Sequence, residues 1–185
     1  MKKSNAERVL PVLAATKRAV RCVIVLLIMG LVTGKAQALI IEYSLPELVQ
    51  ASDLIVRGQV IKTECHWGSP SGAPDGRIIV TDVTMIAEEL FKGTLDTVAF
   101  TVRTDGGVID TIGLWVEDQP RFRVGQEAIV FLGAEADDGV RRVTNLFNGK
   151  YTIADEVIRE NGLLVSRFED SVRQAVRDAE ARNER

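Results

Sequence analysis

Cysteine and histidine are the scarcest chemically active residues in this 185-residue chain, with two of the first and one of the second. Cys22 lies in an apolar run near the N-terminus, and Cys65 stands alone beyond it. Loss of the N-terminal segment therefore leaves a chain that cannot form an internal disulfide. Such a chain must draw its stability from an apolar core, unlike the disulfide-stapled scaffolds common among small secreted domains. A zinc site takes three or four ligands, which one cysteine beside one histidine cannot supply. Aromatic residues are only 5% of the chain, so Ile, Leu and Val carry most of the packing. No Gly-rich phosphate loop joins a strand to a helix, and no Gly-x-Ser-x-Gly occurs. Internal repeats and low-complexity tracts are also missing. The length suits one domain with a sizeable core.

The first 38 residues are unlike the rest. Lys2, Lys3, Arg8, Lys17, Arg18 and Arg21 precede an uncharged apolar run of 11 residues, Cys22 to Val32, and Ala36-Gln37-Ala38 follows. A basic region, a short apolar region and a small-x-small site are the parts of a secretory signal peptide. The apolar run is shorter than the roughly 20 residues of an ordinary membrane-spanning helix. The expectation is export to the periplasm or beyond, with cleavage after Ala38. The alternative is an uncleaved membrane anchor, in keeping with the long basic region and with Lys35 inside the cleavage region; membrane contact is expected only in that case. Seven of the 23 Lys/Arg and one of the 26 Asp/Glu fall in residues 1–38. The remainder has 16 basic and 25 acidic side chains, a net charge of −9 that repels phosphate backbones and disfavours nucleic acid.

The rest of the chain is organised around Arg77 to Gly93. From Ile78 to Thr84 every residue but Asp82 is β-branched, and Lys92-Gly93 closes the run as a turn. Before it, Leu54 to Trp67 alternates as a half-buried strand, with Val56, Gly58 and Val60 on one face. Gly58 inside a strand predicts a bulge or bend. Gly68 to Gly76 (GSPSGAPDG) is the clearest loop. Shorter strands are expected around Leu95–Thr104, Val108–Val116, Glu127–Gly133, Val140–Leu146 and Tyr151–Ile153. The nearly unbroken apolar character of Glu127–Gly133 predicts a strand covered on both faces. Ser44 with Glu47, and Ser166 with Glu169, each have the spacing of a capping box, predicting a helix to about Ala51 and a C-terminal amphipathic helix. Short strands at regular intervals, two long strands with one Gly-bent, and a helix at either end predict a mainly β domain. We expect a small closed barrel of OB type over residues 39–165, with the C-terminal helix and charged tail over 166–185.

An ordered set of segments supports a further expectation. Leu48–Val60 (LVQASDLIVRGQV), Leu90–Gly93, Val102–Gly107 (VRTDGG), Pro120–Glu127 (PRFRVGQE) and Asn148–Tyr151 together resemble a family of uncharacterised exported bacterial proteins. The domain of that family also occurs beside matrixin-type metalloproteases. The order is also distantly similar to netrin and tissue-inhibitor-of-metalloproteinase modules, OB-type barrels with flanking helices. The resemblance spans about Leu45 to Ile153 and implies an interaction role near extracellular proteolysis. Those inhibitors are disulfide-rich and place an N-terminal cysteine on the protease zinc, whereas here Leu39 would lead the mature chain and Cys65 is alone.

Cys65 and His66 are neighbours on a strand, so they point to opposite faces and cannot readily share a metal or a proton. Glu88-Glu89, Glu117-Asp118 and Asp137-Asp138 could supply acid–base chemistry only if two carboxylates met in a partly desolvated cleft. Asp137-Asp138-Gly139 is most simply a hairpin turn. The stretches most suspected of binding are Asp105, Gly106 and Gly107, then Trp115, then Arg121 and Phe122, because loops at the rim of a β domain carry contact residues. The expectation is a non-catalytic domain binding a protein or peptide, with no metal or cofactor. The alternatives are a carboxylate-dependent hydrolase and a membrane-anchored accessory subunit.

Overall fold

A computed structural model describes residues 43–69 and 76–183. The signal-peptide segment, the cleavage site at Ala38 and the middle of the Gly68–Gly76 loop lie outside the described residues. After Ser44, helix α1 runs over Leu45–Ala51, and the Ser44 amide donates to Glu47 Oε2 at 2.7 Å. Two 15-residue strands follow, β1 (Leu54–Gly68) and β2 (Ile78–Lys92), paired antiparallel along nearly their whole length. Then come β3 (Ala99–Asp105), β4 (Gly107–Ile109), β5 (Ile112–Leu114), β6 (Glu127–Leu132), β7 (Val140–Arg141), a 3-10 turn at Leu146–Gly149, β8 (Lys150–Ala154) and β9 (Val157–Ile158). Helix α2 spans Val165–Asn183. Among the described residues no helix is long and apolar enough to cross a membrane.

Seven strands form one sheet in the order β7-β3-β2-β1-β6-β8-β9, and β4-β5 is a separate hairpin. All pairings are antiparallel except β3 with β7. The sheet is open, with β7 and β9 at its edges, which corrects the expectation of a closed OB-like barrel. Closure requires a continuous ladder between the outer strands. Here β7 has two residues, and the chain after it makes a single bridge from Val143 to Leu132.

Both faces of the sheet are covered where β1 and β6 meet. On one face Ile55, Ile129, Phe131 and Ile158 pack against Leu48 and Val49 of α1 and Phe168, Val172 and Val176 of α2. Tyr151 sits between Phe131, edge-on at 5.7 Å, and Phe168, tilted at 4.4 Å. On the other face Val56, Val60, Met85, Phe100, Val130 and Leu132 form a second core, against which Phe122 and Val143 pack. Phe100 of β3 and Val130 of β6 share this core although two strands lie between them, so the sheet curls toward this side. Gly58 allows that bend: the register shifts beside it, and a Cβ there would stand 2.5 Å from the Ile86 carbonyl oxygen.

Three local expectations differ from the structure. Val108 to Val116 is a hairpin of two short strands turning at Asp110, which takes a positive φ of 52°. Val140 to Leu146 shrinks to the two residues of β7. Ser166 does not precede the C-terminal helix, because α2 already begins at Val165. Glu169 instead bonds Arg57 Nη1 at 2.9 Å, so its role is tertiary rather than local.

Candidate functional site

A cavity of about 670 Å³ opens beside the second core, between the far end of the long β1–β2 pair and the chain from 104 to 123. Pairing register builds its floor. Thr63 stands opposite Val83 and Cys65 opposite Thr81, so all four project to one face. Cys65 Sγ lies 3.3 Å from Thr81 Oγ1, and that hydroxyl donates to the Gly106 carbonyl at 2.6 Å. The β4–β5 hairpin forms one wall through Val108, Gly113 and Leu114, and the segment 119–123 forms the other.

The Gly106-Gly107 pair lets the chain turn tightly over this floor. Gly106 has φ +100° and its amide donates to the Ile79 carbonyl at 2.8 Å. Gly107 has φ +142°, and a Cβ there would stand 2.6 Å from Thr81 Oγ1 and 2.7 Å from Cys65 Sγ. Two needs converge on glycine: a backbone conformation that side chains resist, and a close approach to the sheet.

All six residues singled out in the sequence line this cavity: Asp105, Gly106, Gly107, Trp115, Arg121 and Phe122. They differ in what they do there. Asp105 receives Arg142 Nη1 at 2.7 Å, and Gln119 Oε1 accepts from its amide at 3.3 Å, so it ties the end of β3 to the opposite wall. Trp115 is 69% exposed, and the Arg121 guanidinium stacks on its ring 3.2 Å from the centroid. Phe122 points toward the second core, with Lys150 Nζ 5.1 Å from its ring centroid. Burial pushes the Lys150 ammonium below its ordinary value, with the nearby Arg123 acting in the same direction and Glu160 opposing. Lys150 is only 7% exposed and donates to Thr152 Oγ1 at 2.8 Å, so this charge is held inside the fold and does not face a ligand.

Sequence reasoning weighed Cys65 only as a metal ligand or nucleophile, and passed over Thr81 and Arg123. The signal for Cys65 was its alternation with Thr63 on a strand, and for Arg123 its place two residues after Arg121. Cys65 and His66 do face opposite ways. His66 Nε2 lies 2.9 Å from Asp82 Oδ2, and Arg103 takes both oxygens of that carboxylate. The bond to Asp82 is the main cause that raises the His66 imidazole above its ordinary value. Burial alone would raise the Asp82 carboxyl, but hydrogen bonds from Arg103 and His66 outweigh it and hold it low.

Acidic residues meet at a second place. Beside α2, a cleft of about 460 Å³ is lined by Arg57, Glu127 and Glu169. Arg57 Nε pairs with Glu127 and lies 3.5 Å from Glu88. Burial, then the hydrogen bond and charge of Glu127, push the Glu88 carboxyl upward. Asp138, from the expected hairpin turn, accepts from Arg103 Nη1. Among the described residues no three His, Cys, Asp or Glu side chains group so as to hold a metal ion.

The site therefore belongs to a mainly β domain with an open mixed sheet, two helices on one face and a cavity beside the other. No family model matches the chain, and no curated protein does.

Proposed function

We propose that this chain is an exported, non-catalytic binding domain whose cavity accepts an apolar segment of a protein or peptide partner. The observation that carries the reading is the continuity of the cavity with exposed apolar side chains. Val108 and Trp115, both cavity-lining, stand 63% and 69% exposed beside Leu114 and Phe122. Concave apolar sites with a few placed polar groups are the usual form of binding pockets, and contiguous exposed apolar surface marks interaction sites. The acidic balance of residues 39–185 disfavours nucleic acid. The resemblance to the family found beside matrixin-type metalloproteases makes segments of extracellular proteases the first peptides to try.

Cys65 reports on occupancy because it sits on the cavity floor. Peptides with an apolar centre are expected to slow alkylation of Cys65 by N-ethylmaleimide, read by peptide mass so that Cys22 does not interfere. Trp115→Ala should abolish that protection while shifting stability by no more than about 0.5 kcal/mol. Alkylation that every such peptide leaves unchanged would set the binding reading aside. Intact mass of the protein from the soluble envelope fraction and the medium tests export: a chain starting at Leu39 supports it, and a full-length chain found only in membranes supports the anchored alternative. The hydrolase reading draws on the Glu88–Glu127 pair; a hydrolytic activity lost in Glu88→Gln would favour it.

A further inference from the structure

Of the ten arginines outside the cavity among the described residues, half hold a carboxylate. Arg57, Arg103, Arg141, Arg142 and Arg173 each hold at least one carboxylate. Arg121 and Arg123 hold none among the described residues: Arg121 lies on Trp115, and Arg123 enters hydrogen bonds only through its backbone, with Gln126. Guanidinium groups stay charged in proteins, so both cations line a mainly apolar space. The one carboxylate of the cavity, Asp105, is already bound to Arg142. A positive rim thus interrupts a domain whose overall balance is acidic.

We infer that the occupant is an extended segment of a partner protein in which an apolar side chain is flanked by Asp or Glu. This inference rests on the binding reading above and names its ligand. The apolar side chain enters between Trp115, Leu114 and Phe122, and the flanking carboxylates meet Arg121 and Arg123. A guanidinium that covers an aromatic ring with its face keeps its N–H edge for a carboxylate, and Arg121 lies over Trp115 with no carboxylate partner among the described residues. Arg121 and Arg123 are two positions apart, at most about 7 Å of backbone, which matches alternate side chains of an extended strand. Val108, 63% exposed on the hairpin wall, adds apolar surface for residues beside the inserted side chain, so the occupant is a chain segment rather than a small free acid.

The test is selection from a library of acetylated heptapeptide amides on the whole immobilised protein. The centre is Leu, Phe or Trp, and the flanks are drawn from Asp, Glu, Asn, Gln, Lys and Arg. Acidic flanks are expected to be enriched on the order of tenfold over Asn and Gln, the combined effect of two solvent-exposed charge pairs. Enrichment should shrink in about 0.5 M salt. The double variant Arg121→Glu with Arg123→Glu should select Lys and Arg instead, an inversion that a merely structural role would not produce. Should that variant misfold by circular dichroism, Arg121→Gln with Arg123→Gln takes its place and should lose the preference. Apolar centres enriched without flank preference, or a preference unchanged in the variant, would overturn the acidic-flank inference and leave the binding reading standing. No enrichment of any sequence would overturn both.

Discussion

A methyl group on Gly107 has nowhere to go, because Thr81 Oγ1 and Cys65 Sγ lie 2.6 Å and 2.7 Å from where its carbon would sit. Gly125, with φ +82°, has nothing within 4 Å of the same position. The two glycines separate backbone strain from collision. Gly125→Ala is expected to cost about 1 kcal/mol, the strain of a left-handed alanine. Gly107→Ala should cost about 2–3 kcal/mol and also distort the cavity floor. Urea midpoints of the two variants check the order; equal losses would remove the packing argument. His66 gives a second test at this scale. Its imidazole is raised above the ordinary 6.5, so its contribution is fully present below that value and is lost as pH rises through the raised one. Asp82 is depressed below 3.8, so its contribution is present above that value and is lost as pH falls. His66→Asn should therefore lower the urea midpoint more at about pH 5.5 than at about pH 8.5. Both residues lie on the sheet face away from Cys65, so the variant should leave Cys65 protection by peptides intact.

Helix α2 is attached to the sheet by more than its apolar face. Arg57 of β1 reaches Glu127 of β6 and Glu169 of α2, while Arg173 of α2 reaches Glu89 of β2 at 2.5 Å. Burial alone would lower the Arg57 guanidinium, and its bonds to Glu127 and Glu169 more than offset that. Arg57→Met would leave Glu88 and Glu127 without their cation and Glu169 with only the longer contact to Arg173, at 3.5 Å. The expected loss is about 1–2 kcal/mol near neutral pH, less than for a fully buried pair because Arg57 and Glu88 are 29% and 43% exposed. The sign with pH follows: unpaired neighbouring carboxylates have raised pKa values, so acidification protonates them and relieves the repulsion. Thermal midpoints at about pH 7 and pH 4.5 should show the gap from wild type narrowing at the lower value. A gap that widens there would mean that Arg57 acts through packing of its stem. The β4–β5 hairpin is the opposite kind of element, two three-residue strands joined to no other strand of the main sheet. Its exposed apolar residues stabilise little, which is consistent with a contact role.

Across the whole molecule, stability is concentrated where both faces are covered. Leu54, Ile55, Val56, Gly58 and Val60 of β1 and all of β6 beyond Glu127 are buried, whereas β1 from Ile61 to Gly68 is half-buried to exposed. Native-state hydrogen exchange should be slowest at the Ile55, Val56, Ile129 and Val130 amides. It should be faster by orders of magnitude in β4, β5 and the outer end of β1, where the cavity lies. Uniform protection along β1 would contradict that division. A binding site on the less stable end can adjust to its ligand without disturbing the core.

Much of this architecture is legible in the chain itself. The β-branched run from Ile78 and the alternation after Leu54 reproduce as β2 and β1, and Gly93 after β2 and Gly139 before β7 take the positive φ of turns, because propensity and period are local. The apolar run at Glu127–Gly133 marked a strand covered on both sides for the same reason. Asp105-Gly106-Gly107, Trp115 and Arg121-Phe122 were recognisable one by one as unusual loop residues, but their convergence on one cavity depends on register between strands far apart in sequence. Tertiary structure alone decided the open sheet, since closure turns on whether the short β7 segment ladders with β6 across the curl. It also decided that Glu169 serves Arg57 rather than a helix cap, and that Cys65 faces the cavity. Periodicity tells each strand which face is apolar; only non-local pairing tells it what that face will meet.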